Sequence, residues 1–164
     1  MSKYRFVCAV AAILVVLDQA SKWYIRRTIA LYESIPIIDS LFHITYVRNS
    51  GGAFSLFAGS SAAFRLPFFL LVSVLAIGAL LYFVGRADGR QRLLLFGLGA
   101  ILGGALGNLL DRLTSGEVTD FLDLHWNGYH WPAFNVADSC ISVGMAILLV
   151  YSFFSEDEPG ERQA

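Results

Sequence analysis

The chain has 164 residues, enough for one domain, and its mass is 18.0 kDa. Hydrophobic residues make up 56% of it and charged residues only 15%. A soluble domain of this size cannot bury that much apolar side chain, so the composition indicates a bilayer protein and excludes a disordered chain or a disulfide scaffold. The formal net charge of −1 offers no basic surface to a polyanion, so no nucleic-acid partner is expected.

Four apolar runs are long enough, or nearly so, to cross a hydrocarbon core as helices, which takes about 20 residues. They cover approximately residues 6–25, 64–84, 93–113 and 136–154. The predicted fold class is therefore an all-α polytopic membrane protein with four transmembrane helices, in a single domain of residues 1–164. The first run is followed by no small-x-small cleavage pattern, so a permanent span is predicted there rather than a signal peptide.

The orientation follows from the short loop between the second and third spans, which carries Arg86, Arg90 and Arg92. Because short cytoplasmic loops are rich in Lys and Arg, this loop is predicted to be cytoplasmic. With four spans both termini are then cytoplasmic, and Lys3 and Arg5 agree with that. Cations in the other two loops argue weakly against it.

The first outward loop, about 27–63, contains a β-branched and aromatic stretch at 41–47 that predicts a strand. The turn-forming residues 49–52 follow it, and 53–57 is either a second short strand or an interfacial helix. We expect this loop to contribute to a small β-containing extracytoplasmic subdomain lying on the bilayer. Its strand is expected to cover a cleft as a lid and to pair with an extended peptide.

The second outward loop, about 114–134, carries Trp126, Tyr129 and Trp131. These side chains are typical of a membrane–water boundary. His125 and His130 are interpreted as interfacial packing in the same loop. The acidic tail 155–164 is expected to be solvated.

Ionisable residues inside spans are costly, so each is a functional candidate. Asp18 and Lys22 lie at i and i+4 in the first span, which predicts a neutralising structural pair. In the third span Gly99, Gly103 and Gly107 form a row of small residues that predicts close helix packing.

The small face of the third span continues into polar residues at its end. Asn108 and Arg112 are either a buried hydrogen-bond clamp or ligands for a substrate group. Asp111 is expected to brace Arg112. Cys8 and Cys140 lie in apolar runs and are predicted to be small buried hydrophobic residues.

Acidic residues follow the third span at Glu117, Asp120 and Asp123, and Asp138 lies about one turn into the fourth. Two carboxyl groups meeting at one site share a proton, so that one can activate water while the other polarises a carbonyl group. Ion binding, a proton relay and structural pairing remain open from spacing alone.

Other hydrolytic chemistries have no matching motif. The chain has no His-Glu-x-x-His and no Gly-x-Ser-x-Gly, so neither a zinc protease nor a serine hydrolase with the usual elbow is indicated. No metal and no cofactor are expected.

Five segments in order carry a resemblance that covers nearly the whole chain. They are 18–22 (DQASK), 48–55 (RNSGGAFS), 103–113 (GGALGNLLDRL), 118–123 (VTDFLD) and 134–139 (FNVADS). With four spans and this length, the chain resembles the bacterial lipoprotein signal peptidase family, also called type II or prolipoprotein signal peptidase. The family commonly has alanine where Gly52 stands, which affects no catalytic position.

The resemblance implies an intramembrane aspartic endopeptidase of the bacterial inner membrane. It would cleave signal peptides from diacylglyceryl-modified prolipoproteins on the N-terminal side of the lipidated cysteine, near the periplasmic face. The catalytic aspartates of the family fall on Asp120 and Asp138. The substrate-binding positions fall on Asn49, Gly51, Asn108, Arg112, Asn135 and Ala137.

The first family motif contains Asp18 and Lys22. Globomycin-like cyclic peptides are the inhibitors that the resemblance implies, membrane lipids are further partners, and a monomer is expected. From the residues alone, Asp111 and Asp123 compete for the acid roles. The alternative function is a small channel or proton-coupled transporter that uses the same acids as a relay, and a third is a structural assembly factor.

Overall fold

In the part of the chain that the structure describes, four helices are long and apolar enough to cross a membrane. The computed structural model describes residues 1–51, 57, 59–126 and 129–155. The helices are α1 (Lys3–Thr28), α2 (Ala62–Arg86), α3 (Arg92–Ser115) and α4 (Val136–Ser155). The prediction of four spans is confirmed, and each helix is longer than the apolar run that predicted it.

Helix α3 is the centre of the bundle and packs against α1 and α4 through its small residues. A Cβ at Gly103 would lie 3.0 Å from the carbonyl oxygen of Ala11 on α1. A Cβ at Gly104 would collide with the carbonyl group of Ala137 on α4. The predicted packing role of the glycine row is therefore confirmed, since two neighbouring backbones approach α3 too closely for any side chain.

Gly104→Ala is expected to lower the thermal stability of the protein in detergent. The added methyl group meets the Ala137 carbonyl and also lies 2.7 Å from Cγ1 of Ile141, so α3 and α4 must move apart. Gly78→Ala is the matched control, because nothing lies within 4 Å of its Cβ and alanine favours a helix by about 0.5–1 kcal/mol. Equal melting temperatures for the two variants would contradict this packing.

A small antiparallel sheet covers one end of the bundle. Its strands are β1 (Ser34–Ile38), β2 (Phe42–Asn49), β3 (Val118–Trp126) and the two-residue β4 (Tyr129–His130), in that spatial order. The strand predicted at 41–47 is confirmed as β2. Strands in the second loop, and β1 with its central proline, were not predicted from the sequence.

The expectation that β2 covers a cleft and pairs with an extended peptide stays a prediction. Residues 42–44 of β2 pair with β1 on one side and with β3 on the other, so this part of the strand has no open edge for a peptide. Residues 47–49 pair with β3 alone among the described strands, and they line a cavity. The alternatives for 53–57 and the acidic tail fall mainly on 52–56 and 156–164, which lie outside the described residues.

The end of the bundle away from the sheet carries the N-terminus. Lys3 Nζ donates hydrogen bonds to the carbonyl oxygens of Gly85 and Ala87, at 2.7 and 2.8 Å. The N-terminus and the α2–α3 connection therefore lie together at this end. Val7, Leu95 and Leu98 are at the centre of the apolar core beside it.

The prediction that both cysteines are buried is wrong for Cys8, which is exposed on α1, and Cys140 is only half-buried. In a bundle this small, apolar runs supply the outer surface as well as the core. Val16 on α1 and Leu75 on α2 are also more than half exposed, at 65% and 63%. Lipid tails cover such faces as readily as other helices do.

Candidate active site

The turn between α3 and β3 sets the position of Asp120. Gly116 ends α3 with a φ of +76°, a left-handed conformation that glycine adopts without strain, and its N–H donates to the Arg112 carbonyl oxygen at 3.0 Å. The chain then turns back across the end of the bundle as β3. Asp120 is the third residue of that strand and is buried, with 2% of its surface exposed.

The first turn of α4 sets the position of Asp138. Asn135 precedes the helix, and its Oδ1 accepts a hydrogen bond from the Asp138 N–H at 3.0 Å. Asp138 Oδ2 accepts in return from the Asn135 N–H at 3.2 Å. This reciprocal pair is a capping box, which satisfies two backbone donors that the start of a helix leaves without partners. It also fixes the direction of the Asp138 side chain.

Asn135 connects the two aspartates directly. While its backbone binds Asp138, its Nδ2 donates to Asp120 Oδ1 at 2.7 Å. Each acid also accepts a hydrogen bond from an amide side chain on another element. Asn49 Nδ2 on β2 donates to Asp120 Oδ2 at 3.0 Å, and Asn108 Nδ2 on α3 donates to Asp138 Oδ1 at 2.8 Å. The structure thus brings both acids and three of the predicted binding residues into one hydrogen-bonded cluster.

The environment of Asp120 favours its protonated form. Burial and, after it, the negative charge of Asp138 raise the pKa of Asp120 to about 7, against the opposing hydrogen bonds from Asn49 and Asn135. A substantial share of the Asp120 carboxyl groups is therefore protonated near neutral pH. An acid with such a pKa can donate a proton and take one back under physiological conditions.

A cavity of about 780 Å³ opens beside the two acids. Its polar end is formed by Asp120, Asp138 and the residues that hydrogen-bond them, whereas its other wall is largely apolar. That apolar wall includes Leu124, Phe134, Ile141 and Val143. The cavity is large enough for an extended peptide segment and adjoins the surface of α4, a helix apolar enough to face lipid.

Arg112 and Gly51 lie together at the polar end. Arg112 Nη2 is 3.4 Å from the carbonyl oxygen of Gly51, and its guanidinium stands 4.9 Å from the ring centroid of Phe69 on α2. The Gly51 N–H donates to Asn49 Oδ1 at 2.9 Å. Arg112 therefore joins α2 and the loop after β2 to the end of α3.

The predicted Asp18–Lys22 pair is present and has a third member. Lys22 Nζ lies 2.9 Å from Asp18 Oδ2 and 2.9 Å from Asp111 Oδ2, and all three side chains are buried. The expectation that Asp111 braces Arg112 is wrong, because residues 111 and 112 point in different directions around α3 and Asp111 faces α1. Asp18 Oδ1 also accepts from the Ala137 N–H at 2.9 Å, which attaches the first turn of α4 to α1.

Asp123 is not part of this cluster. Side chains alternate along β3, and Asp120 and Leu124 line the cavity, so Asp123 lies on the opposite face of the sheet. Between the two competing acids of the loop, the structure therefore brings only Asp120 beside Asp138. Sequence reasoning missed the capping role of Asn135, although the Asn-x-x-Asp spacing before an apolar run was a usable signal.

Buried polar groups are confined to the sheet end of the bundle in the part of the chain that the structure describes. Those within helices α1 and α3 occupy the second half of each, and the others lie on the sheet or just before α4. They are Asp18, Lys22, Thr45, Asn108, Asp111, Thr119, Asp120 and Asn135. A relay across the membrane needs polar groups through its depth, so this distribution does not favour the transporter alternative.

Fold and site together define a multi-pass membrane protein with two hydrogen-bonded carboxyl groups beside a cavity at one end of the bundle. A family model described as signal peptidase (SPase) II matches residues 10–154. The chain belongs to the signal peptidase II family, a family of peptidases, and the predicted resemblance is confirmed.

The sequences of known relatives align with this chain over most of their length. The chain is 55% identical over 147 residues to a lipoprotein signal peptidase of Geobacter sulfurreducens, covering 90% of this chain and 91% of the relative. It is 47% identical over 150 residues to one of Desulforapulum autotrophicum, covering 92% and 93%. A solved structure titled as a bacterial membrane enzyme superposes with a TM-score of 0.84 at 28% identity, covering 96% of this chain and 93% of that one.

Proposed function

We propose that this protein is an aspartic endopeptidase that removes signal peptides from lipoprotein precursors, cutting on the N-terminal side of a diacylglyceryl-modified cysteine. The observation that carries the proposal is the pair of carboxyl groups of Asp120 and Asp138, connected through Asn135 and open to one cavity. The names of the relatives support the substrate class.

The two acids have different surroundings, which suggests different roles. Asp138 lies at the positive end of α4 and accepts the Asn135 N–H, both of which stabilise a carboxylate. Asp120, with its pKa near 7, supplies the protonated partner. This is the arrangement needed for general acid–base attack of water on an amide.

In the proposed reaction Asp138 takes a proton from water, and the oxygen of that water forms a bond to the scissile carbonyl carbon. Asp120 gives its proton to the carbonyl oxygen, so the tetrahedral intermediate is neutral. Asp138 then protonates the amide nitrogen, and Asp120 recovers its proton as the C–N bond breaks. The products are the carboxyl end of the signal peptide and the free amine of the cysteine, with no metal and no covalent intermediate.

The cavity walls fit a substrate that is half peptide and half lipid. The amides and Arg112 at the polar end can hydrogen-bond the substrate backbone. Apolar residues of α4, such as Ile141 and Val143, continue the wall toward the lipid-facing surface, where acyl chains can lie. A lipid-anchored cysteine would therefore bring its scissile bond to the depth of the two acids.

We place the protein in the bacterial inner membrane with both termini in the cytoplasm. The N-terminus and the Arg-rich α2–α3 connection lie at the same end of the bundle, which supports a single cytoplasmic face. The sheet and the two acids then lie at the periplasmic side. Globomycin-like cyclic peptides are proposed to compete for the cavity.

The test is cleavage of two forms of one precursor by the purified protein in detergent. We expect the diacylglyceryl-modified form to be cut before its cysteine and the unlipidated form to remain intact. A globomycin-like peptide should block the reaction. Equal cleavage of both forms, or cleavage of neither, would contradict the proposed substrate.

Changing the hydrogen bonds of Asp120 should move the pH dependence of kcat/KM. Activity of the wild type is expected to fall as pH rises through about 7, because the pKa of Asp120 is about 7 and its proton is needed. The Asn49 hydrogen bond lowers that pKa, so Asn49→Ala should raise it and shift the alkaline limb to higher pH. A wild-type rate that instead rises through pH 7 would assign Asp120 as the base.

A further inference from the structure

A second group of ligand-type side chains lies on the sheet, away from the cavity. It consists of His43 on β2 with Asp123 and His125 on β3, and one ligand atom of each lies within 4.8 Å of the others. The register explains the grouping. His43 is directly opposite Asp123, and His125 follows two positions later, so the three side chains leave the same face.

The geometry of His43 suits metal ligation. Its Nδ1 is 3.2 Å from the Ser34 hydroxyl on β1, which leaves Nε2 as the nitrogen for a ligand bond. Histidines that bind metals usually engage the second ring nitrogen in this way. The rings of His43 and His125 stand edge to face, with centroids 4.3 Å apart. All three side chains are half-buried, so an ion from solvent can reach them.

We propose that His43, Asp123 and His125 form a binding site for Zn²⁺, with water as the fourth ligand. Two imidazoles and a carboxylate are a donor set that Zn²⁺ favours. In a tetrahedral site with bonds of about 2.0–2.1 Å the ligand atoms are about 3.3 Å apart. Side-chain rotations that bring the atoms closer by about 1.5 Å or less complete the site, because β2 and β3 are already paired.

The ion would act on the sheet rather than in the hydrolytic reaction. Strand β2 carries Asn49 and strand β3 carries Asp120, and the hydrogen bond between these residues depends on the pairing of the two strands. A metal between His43 and β3 crosslinks the same strands. The sequence did not indicate this site, because His43 and Asp123 are far apart in the chain. All three histidines of the protein fall on the sheet, and the backbone register places His130 on β4 opposite His125 on β3.

The test is a calorimetric titration of the full-length protein, in detergent and after chelator treatment, with Zn²⁺. We expect one saturable site per chain and a rise in melting temperature with Zn²⁺, which Mg²⁺ does not reproduce because it prefers oxygen ligands. His43→Ala and His125→Ala should each weaken binding at least about tenfold. Asp39→Asn, at an exposed turn of the same sheet, should bind as the wild type does.

Asp120→Asn separates this site from the proposed catalytic pair, because it should bind Zn²⁺ with unchanged affinity. Absence of saturable binding by the wild type would overturn the proposal. So would unchanged affinity in both histidine variants, or binding that is lost in Asp120→Asn and kept in His43→Ala. If the alanine variants do not fold, His43→Gln and His125→Gln keep the side-chain volume and serve in their place.

Discussion

Asp120→Asn and Asp138→Asn should each reduce kcat/KM for a lipidated precursor by about 100-fold to 10,000-fold, the range of a general acid or base. Asparagine has nearly the shape of aspartate but can neither accept a proton from water nor donate one as a carboxyl group does. The measurement is precursor cleavage under single-turnover conditions by each purified variant.

Both variants should remain folded, so the loss reports chemistry. Asn at 138 still offers an oxygen to the Asn135 N–H of the capping box. Asparagine at position 120 cannot ionise, so the Asp120→Asn variant avoids the free-energy cost of a buried negative charge. The melting temperature of this variant above pH 7 should therefore not fall far below that of the wild type. Asp39→Asn, on an exposed turn, is the matched control and should cleave normally. Full activity in either site variant would contradict the catalytic assignment.

Lys22→Met should destabilise the protein by roughly 3–5 kcal/mol, the usual cost of removing one partner from a buried ion pair. Lys22 Nζ lies 2.9 Å from both Asp18 and Asp111 and 3.0 Å from Asn108 Oδ1. Methionine fills the space but leaves two buried carboxylates without their shared cation. The measurement is thermal or denaturant unfolding in detergent.

Arg27→Met is the matched control for that variant, since Arg27 is an exposed cation near the same end of α1. Its stability should be close to that of the wild type. Adding Asp111→Asn to Lys22→Met should recover part of the loss, because it removes one of the two buried carboxylates that have lost Lys22. Unfolding of Lys22→Met at the wild-type midpoint would show that the ion pairs contribute little.

The helical part of the fold could be predicted from the sequence because apolar length alone determines a membrane span. Glycine spacing on α3 was equally informative, since a row of small residues has few uses other than close packing. Strand β2 was predictable from its β-branched and aromatic residues. Strands β1 and β3 were not predictable. Pro36 interrupts the strand pattern of β1. In β3 the side chains alternate between the cavity and the other face of the sheet, rather than between an apolar core and solvent.

The spacing of residues along the sequence predicted less of the candidate site than of the helices. Asp111 and Lys22 are on different helices, and only the approach of α1 to the glycine face of α3 brings them together. Adjacency in sequence suggested Arg112 as the partner of Asp111 instead, although neighbouring residues on a helix point about 100° apart. The choice of Asp120 over Asp123 likewise needed the resemblance, because both precede the same helix.

Asn135, which contacts both Asp120 and Asp138, is a residue whose role a general helix-capping motif could have predicted in part. An N-cap residue followed three positions later by an acid is a local signal, and here it orients Asp138. That the same side chain also reaches Asp120 depends on the path of β3 over the end of the bundle. The capping contact could therefore be predicted from the sequence, whereas the bridge required the structure.

The most direct test of the two-carboxyl mechanism is the rate of the double variant Asp120→Asn/Asp138→Asn compared with the two single variants. Residues that act as one unit on a single water lose their function together, so their effects do not add. We predict that the double variant cleaves the lipidated precursor no more slowly than the slower single variant. Losses that multiply would show two independent contributions and would contradict a shared water between Asp120 and Asp138.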